Sequence, residues 1–233
     1  MNALVTAVTS DLGYYIAKKL ITMGYHIIGT YHSNYHRKKE IKKELGDNIS
    51  IYKVDITEED DIINLSKKID SLNIIINNAC TYHDSNIQTK TKEDFMNTLE
   101  VNLLGPFLIT KHLKLDSGYI FNIASTDGIN TYNDINFDYA ASKAGLINYT
   151  KSLSVIFPDT KSYAISPNWI NTKTTRSINK DYLKEELKKC NQSRLIEPEE
   201  ISKIIGEVLQ ENIPSGTNIV INIKNNKMEV SYE

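Results

Sequence analysis

Short apolar runs alternate with helical patterns along the whole chain, and nothing else in the sequence restricts its fold so tightly. Ala3–Val8 is apolar, and Ile16, Ala17, Leu20 and Ile21 then recur at helical spacing. His26–Tyr31 leads into a charged helix candidate, His36–Leu45, and Ile49–Val54 precedes a helix near Glu58–Ile69. Asn73–Ile76 precedes a long helical pattern over about Lys92–Leu113. Tyr119–Ile123 is followed by helical Tyr139–Phe157, Ser162–Ile165 by helical Pro198–Leu209, and Asn218–Ile223 closes the series. Continuous apolar strands with helices between them predict a parallel sheet covered on both faces.

The expected fold is therefore α/β: a Rossmann-type doubly wound parallel sheet of about seven strands with helices on both faces. No Pro/Gly/Ser-rich linker and no repeat interrupts residues 1–233, so one domain is expected. The net charge of −2 gives no field that favours nucleic acid or an anionic membrane. No apolar run approaches the roughly 20 residues of a membrane span, and Met1–Val8 lacks the basic flank of a signal peptide. Only two cysteines occur, Cys80 and Cys190, far apart in sequence. That suggests neither a disulfide framework nor a metal cluster, and it fits a cytoplasmic protein.

Four breaks read as functional loops: Thr9–Leu12, Ala79–Lys90, Ser125–Asp138 and Pro167–Lys180. All follow strand candidates, the end at which open parallel sheets bind ligands. The first run passes through Thr6-Ala7-Val8-Thr9-Ser10-Asp11-Leu12-Gly13 into a helix. A strand feeding a helix N-terminus offers free amides to an anion such as a diphosphate. Only Gly13 is a glycine there, and it serves either a diphosphate's approach or tight helix packing. Asp11 places a negative charge beside this site, and capping the helix is the expected role for it. After the second run, Tyr31-His32-Ser33-Asn34 contains no acid for ribose hydroxyls. His32, Ser33, Asn34 and Arg37 offer donors instead, which favours NADP(H) over NAD(H), although NAD(H) is still admitted. Asp55 is placed either to accept from an adenine amino group or, with Thr57, to cap the next helix.

The most informative stretch is Tyr139-Ala-Ala-Ser-Lys143 on a helical pattern. An i, i+4 spacing puts phenol and ammonium on one helix face. A nearby ammonium favours tyrosinate, lowers the phenol's pKa and lets it exchange a proton with a substrate oxygen. By itself the pair is a weak pattern; its company gives it meaning.

That company resembles the short-chain dehydrogenase/reductase family over essentially the whole chain. Val54-Asp55-Ile56-Thr57 is similar to its adenine-binding motif, and Asn77-Asn78-Ala79-Cys80 to its Asn-Asn-Ala-Gly. Val101-Asn102-Leu103 resembles the helix that supplies its asparagine, and Asn122-Ile123-Ala124-Ser125 with Gly128 the strand end that bears its serine. Tyr139–Gly145 resembles its active-site helix, and Pro167-Asn168-Trp169-Ile170-Asn171-Thr172 its Pro-Gly…Thr loop. The resemblance implies that Tyr139 is the general acid in reduction and that Lys143 binds the nicotinamide ribose and tunes Tyr139. It implies that Ser125 orients the substrate carbonyl and that Asn102 holds a water linking Lys143 to solvent. It implies cofactor contacts at Thr6, Thr9, Ser10, Leu12, Gly13, His32, Ser33, Asn34, Asp55, Ile56, Asn78, Ala79 and Cys80. On the far side of the cleft it implies others at Pro167, Asn168, Ile170 and Thr172. Alternative roles are a loop cap for Ser125, a structural amide for Asn102 and a helix start for Thr172.

The implied activity is reduction of a carbonyl, free or carrier-bound, by hydride from NADPH, in a homotetramer or homodimer. A 3-oxoacyl-carrier-protein reductase-like and a pteridine reductase-like enzyme are both compatible with the motifs. So is a catalytically silent member with a weakened nucleotide turn, because Ala7 and Asp11 stand where the family has glycines. With Asp11 near the diphosphate, Asp11→Gly should tighten cofactor binding. The short stretch after Thr172 suggests an open substrate site.

Overall fold

The computed structural model describes residues 1–129 and 134–233. Eight strands form one sheet: β1 (Asn2–Val5), β2 (His26–Tyr31), β3 (Ile49–Lys53), β4 (Leu72–Asn77), β5 (Leu115–Ile123), β6 (Lys161–Pro167), β7 (Asn218–Lys224) and β8 (Lys227–Tyr232). Their order is β3-β2-β1-β4-β5-β6-β7-β8, with every pairing parallel except β7 with β8. The order reverses between β1 and β4, and that switch point opens a crevice at the carboxyl ends of the strands. Successive strand residues serve opposite faces. Ala3, Val5, Ile74 and Ile76 pack with one layer, and Leu4 and Ile75 with the other. Both faces are covered, so the runs are apolar throughout rather than alternating. Full burial of each of these Val, Leu and Ile side chains stabilises the fold by about 1.5–3 kcal/mol relative to exposure.

The helices are α1 (Asp11–Thr22), α2 (Tyr35–Leu45), α3 (Glu59–Ser66), α4 (Lys92–Leu99), α5 (Gly105–His112), α6 (Phe137–Ile156), α7 (Lys173–Ser177), α8 (Lys180–Lys189) and α9 (Pro198–Val208). α1 and α9 line one face, and α3, α5 and α6 the other. Their starts follow from capping chemistry. Thr91 and Asp94 form a capping box on α4, and Pro198 occupies the first turn of α9 behind a Glu197–Glu200 box.

Two expectations need correction. The continuous helix expected over about 92–113 is broken by a π-helical turn, Glu100–Leu104, between α4 and α5. The sheet has eight strands rather than about seven. The added β8 returns from β7 through Asn225 and Asn226, both in the left-handed region at φ 49° and 59°. Asparagine tolerates that conformation, and two such residues make the hairpin turn that matches strand twist.

Candidate active site at the crevice

Ser125, Tyr139, Lys143 and Asn102 converge beyond the ends of β4 and β5. Tyr139 and Lys143 share one face of α6, with the ammonium 5.4 Å from the ring centroid. Lys143 is buried and donates to the Ile123 carbonyl at 2.6 Å, at the last residue of β5. Ser125 lies two residues further on and hydrogen-bonds the Tyr139 phenol. The turn Thr126–Gly128 brings this loop against α6 so closely that a Cβ on Gly128 would stand 2.6 Å from the Ala144 nitrogen. Glycine is therefore required there for Ser125 to reach the phenol. Ser125 also accepts from the Asp127 amide at 3.1 Å, so it caps its loop as well.

Burial pushes the Tyr139 phenol well above its ordinary value; Cys80 and Asp127 add to the push, and the Ser125 hydroxyl opposes it. Burial pushes the Lys143 ammonium down, and Cys80 and Asp127 oppose that shift. The expected lowering of the Tyr139 pKa is thus not what the site shows. Desolvation dominates at the phenol, and the neighbouring ammonium is committed to a backbone carbonyl. The phenol keeps its proton at neutral pH, as a proton donor requires.

Asn102 is fully buried in the π turn. Its amide donates to the Thr81 carbonyl at 2.9 Å and to Ser142 at 3.0 Å, and it accepts from the Thr81 amide at 2.8 Å. These bonds make its side chain a brace between the loop after β4 and α6. Sequence reasoning overlooked other braces. Asn77 donates to Asn122 across β4 and β5 at 2.8 Å, and Asn122 donates to Thr150 of α6 at 2.8 Å. Their signal was an asparagine at the end of one largely apolar run and one residue short of the end of the other. Lys90 forms a buried ion pair with Asp138 at 2.9 Å and also donates to the His83 carbonyl. Asp138 accepts from Thr98 at 2.8 Å. This cluster ties the loop after β4 to the first turn of α6, beside Tyr139. Tyr82 meets Tyr139 edge-on, with centroids 6.3 Å apart. Cys80 is an exposed free thiol next to the pair. Of the loop expected over 125–138, residues 130–133 lie outside the described residues.

At the nucleotide end, Ser10, not Asp11, caps α1, accepting from the Gly13 amide at 3.0 Å. Helix geometry leaves the amides of Asp11 and Leu12 as donors at the mouth. A Cβ on Gly13 would lie 2.5 Å from the Ala7 carbonyl, so packing alone demands a glycine. Ala7 holds a left-handed φ of 48°. Thr6 accepts from the amides of Asn78 and Ala79 at 2.8 and 2.9 Å. Asn78 donates to the carbonyls of Thr6 and Ala7 and to Ser10, at 2.9, 3.3 and 3.1 Å. Thr6, Asn78 and the Ser10 hydroxyl thus shape the turn, with Thr9 half-buried and Ser10 exposed at its mouth. The Leu12 and Ile56 side chains are in the core, leaving their backbone groups for a ligand.

Asp11 Oδ2 accepts from the Lys173 amide at 2.6 Å and from Arg176 at 3.4 Å, so its charge is met by α7 rather than aimed into the mouth. His32 and Ser33 are exposed after β2, while Asn34 caps α2, accepting from the Arg37 amide at 3.1 Å. Arg37 lies over the Tyr14 ring and pairs with Glu40 at 3.0 Å. Asp55 accepts from the Thr57 hydroxyl and amide at 2.7 and 3.0 Å, and one oxygen lies 3.4 Å from His32. Burial raises the Asp55 pKa, but the Thr57 bonds and His32 outweigh it and hold the carboxyl below its ordinary value. Pro167 ends β6 and Asn168 follows it. Ile170 makes a parallel bridge with Ile196, and Thr172 caps α7, accepting from the Thr175 amide at 3.2 Å. Two helices, α7 and α8, fill the stretch after Thr172.

The chain belongs to the short-chain dehydrogenase family, whose model matches residues 1–183. It is accordingly an NAD(P)-dependent oxidoreductase, and among curated proteins it resembles 3-oxoacyl-(acyl-carrier-protein) reductases. It is 30% identical to that reductase of Rickettsia bellii over 211 residues, 88% of this chain and 87% of the relative. It is 32% identical to that of Buchnera aphidicola over 216 residues, 88% of this chain and 87% of the relative. A dehydrogenase/reductase from Sinorhizobium meliloti shares the fold at a TM-score of 0.86 and 22% identity, over 94% of this chain and 92% of that one. A blue fluorescent protein from a metagenomic library, solved in complex with NADPH, does so at 0.88 and 19%, over 95% of this chain and 96% of that one.

Proposed function

We propose that this oxidoreductase is an NADPH-preferring carbonyl reductase in which Tyr139 donates the proton. The observation that carries the reading is the placement of Tyr139 and Lys143 on one face of α6 with the Ser125 loop packed against it; burial keeps the phenol's pKa high. The bound dinucleotide supplies the hydride. A substrate carbonyl oxygen placed between the Ser125 and Tyr139 hydroxyls accepts both bonds, and Ser125 fixes its orientation. As negative charge develops on that oxygen, the Tyr139 proton transfers to it. Lys143, one helical turn away, stabilises the phenolate left behind. Asn102 keeps the loop after β4 in register with α6 through Thr81 and Ser142. Tyr82 lines the approach to the phenol.

The nucleotide end fits a dinucleotide. Amides at the start of α1, the Gly13 contact and the Asn78-braced turn provide a diphosphate cradle. In this reading the Ile170 backbone and Thr172 would hold the carboxamide. No acid follows β2, and His32 and Ser33 are available to a 2′-phosphate. His32 is also close to Asp55, which the adenine reading employs. Substrates are small carbonyl compounds, free or on a carrier, with neither nucleic acid nor membrane as partner. No described helix is long and apolar enough to cross a membrane.

A groove of about 550 Å³ between α4, α5 and α6 is lined by Met96, Leu103, Phe107 and Tyr149. Exposed apolar side chains of this kind support a homodimer or homotetramer built on this face. The two free thiols, Cys80 and Cys190, agree with a cytoplasmic setting.

The test is binding of NADPH and NADH to the purified chain, followed by oxidation of the preferred one with ketones, 3-oxoacyl thioesters, quinones and dihydropteridines. NADPH binding with turnover of any of these supports the reading. Binding of neither dinucleotide would return the chain to a silent scaffold, the alternative suggested by the strained Ala7.

A further inference from the structure

The first turn of α1 and the segment after β6 leave the sheet from strands that are not neighbours, because β4 and β5 lie between β1 and β6. Three inter-strand spacings place those strand ends about 14 Å apart. Yet Asp11 Oδ2 accepts a 2.6 Å bond from the amide of Lys173, the first residue of α7, and lies 3.4 Å from an Arg176 nitrogen. The segment must therefore arch over the ends of β4 and β5, where Asn78 and Ser125 emerge. Its other attachment is also firm. Arg176 donates to the Asn171 carbonyl at 3.2 Å and to its side-chain oxygen at 3.1 Å. The Asn171 amide reaches both Glu197 oxygens at 2.9 and 3.1 Å, and Glu197 begins α9, which packs on α1.

This arrangement also explains how an acid is tolerated beside an anion cradle. Its carboxylate is turned to the amide end of a helix and to a guanidinium, both favourable to negative charge. The contact is partly solvated, with the Asp11 side chain 30% and that of Arg176 54% exposed. A solvated charge-assisted bond can open and close without disturbing the core.

We propose that Asp11 is a positioning residue that straps α7 across the dinucleotide cleft, so that the cofactor leaves only after the Asp11–Lys173 bond opens. The proposal rests on the dinucleotide reading given above. The strap governs how long the cofactor stays, whereas the chemical step belongs to α6 and the Ser125 loop.

Wild type, Asp11→Ala and Asp11→Asn distinguish the outcomes through three readouts. The first is amide hydrogen exchange over residues 171–178 without cofactor. The second is dissociation of NADPH in stopped flow, followed by energy transfer from Trp169, the chain's only tryptophan, which lies at the start of this segment. The third is the single-turnover hydride-transfer rate. Asp11→Ala is expected to speed exchange over 171–178 but not within α1, to speed cofactor dissociation about tenfold, and to change the single-turnover hydride-transfer rate by much less than it changes dissociation. Asp11→Asn keeps an acceptor for the Lys173 amide but loses its charge, so it should fall between. Unchanged or slower dissociation in Asp11→Ala, or tighter cofactor binding, overturns the strap. Should wild type bind neither dinucleotide, the proposed function fails; unaltered exchange in Asp11→Ala would then overturn the strap independently.

Discussion

The two sides of the crevice reach their geometry by different means. On the α6 side, reactive groups sit on rigid elements and are tied together by buried polar bonds: Lys143 to Ile123, Asn102 to Thr81 and Ser142, Lys90 to Asp138. On the α1 side, a turn that could have been shaped by glycines is held by hydrogen bonds. Ala7 accepts a left-handed conformation that costs about 1–2 kcal/mol. The two protons of the Asn78 amide, shared among three acceptors, offset that cost with bonds worth about 1 kcal/mol net each. One function can therefore be preserved by retaining residues or by bracing their substitutes. The braced side should be the more sensitive to loss of a supporting amide.

The sharpest break of this comparison is Tyr139→Phe. It should lower turnover about a thousandfold while dinucleotide affinity stays within about twofold, measured by steady-state kinetics and titration calorimetry. Affinity falling in parallel with turnover would mean that the two sides are not separable. Lys90→Met should come next. It leaves Asp138 buried without its ion-pair partner and should cost about 3–5 kcal/mol in denaturant unfolding, with Lys90→Met/Asp138→Leu recovering much of it. No recovery would show that the ion pair is not what holds the loop to α6.

Asn78→Ala should weaken dinucleotide binding about tenfold, at the level of one or two lost hydrogen bonds, with little change in the pH profile. If affinity is untouched, the turn stands without its brace. The pH profile itself tests the other side. Lys143 is pushed below its ordinary value and Tyr139 above its own. As pH rises, the ammonium is therefore lost before the phenol's proton, and kcat/KM for reduction should decline with Lys143. Lys143→Arg should move that alkaline limb upward; a limb that stays in place assigns the titration elsewhere. The smallest effect is expected for Ala7→Gly, which relieves the left-handed strain and should raise stability by about 1 kcal/mol, read from the unfolding midpoint.

The alternation of runs and helices was legible because burial on two faces leaves a pattern that needs no knowledge of pairing. The Tyr139–Lys143 pair was legible for a similar reason, since four residues in a helix define a contact. What escaped detection depends on partners distant in sequence. Lys90 and Asp138 are 48 residues apart, and Asp11 and Lys173 are 162 apart. Without those partners, Asp11 read as a cap and as a charge near phosphate. β8 alternates polar and apolar residues as an edge strand does, without the continuous apolar run that marked the other strands. The sign of the Tyr139 shift was misjudged because spacing reveals a neighbour's charge but not how dry the pocket is.

The π-helical turn at Glu100–Leu104 has a practical corollary. A helix that widens for one turn has absorbed a surplus residue, so the flanking stretches α4 and α5 keep their outward faces in phase. Shortening the polypeptide by one position there would leave both flanks aimed as before and alter only the presentation of Asn102. A single-codon deletion there therefore tests whether the surplus residue serves to present Asn102 to Thr81 and Ser142.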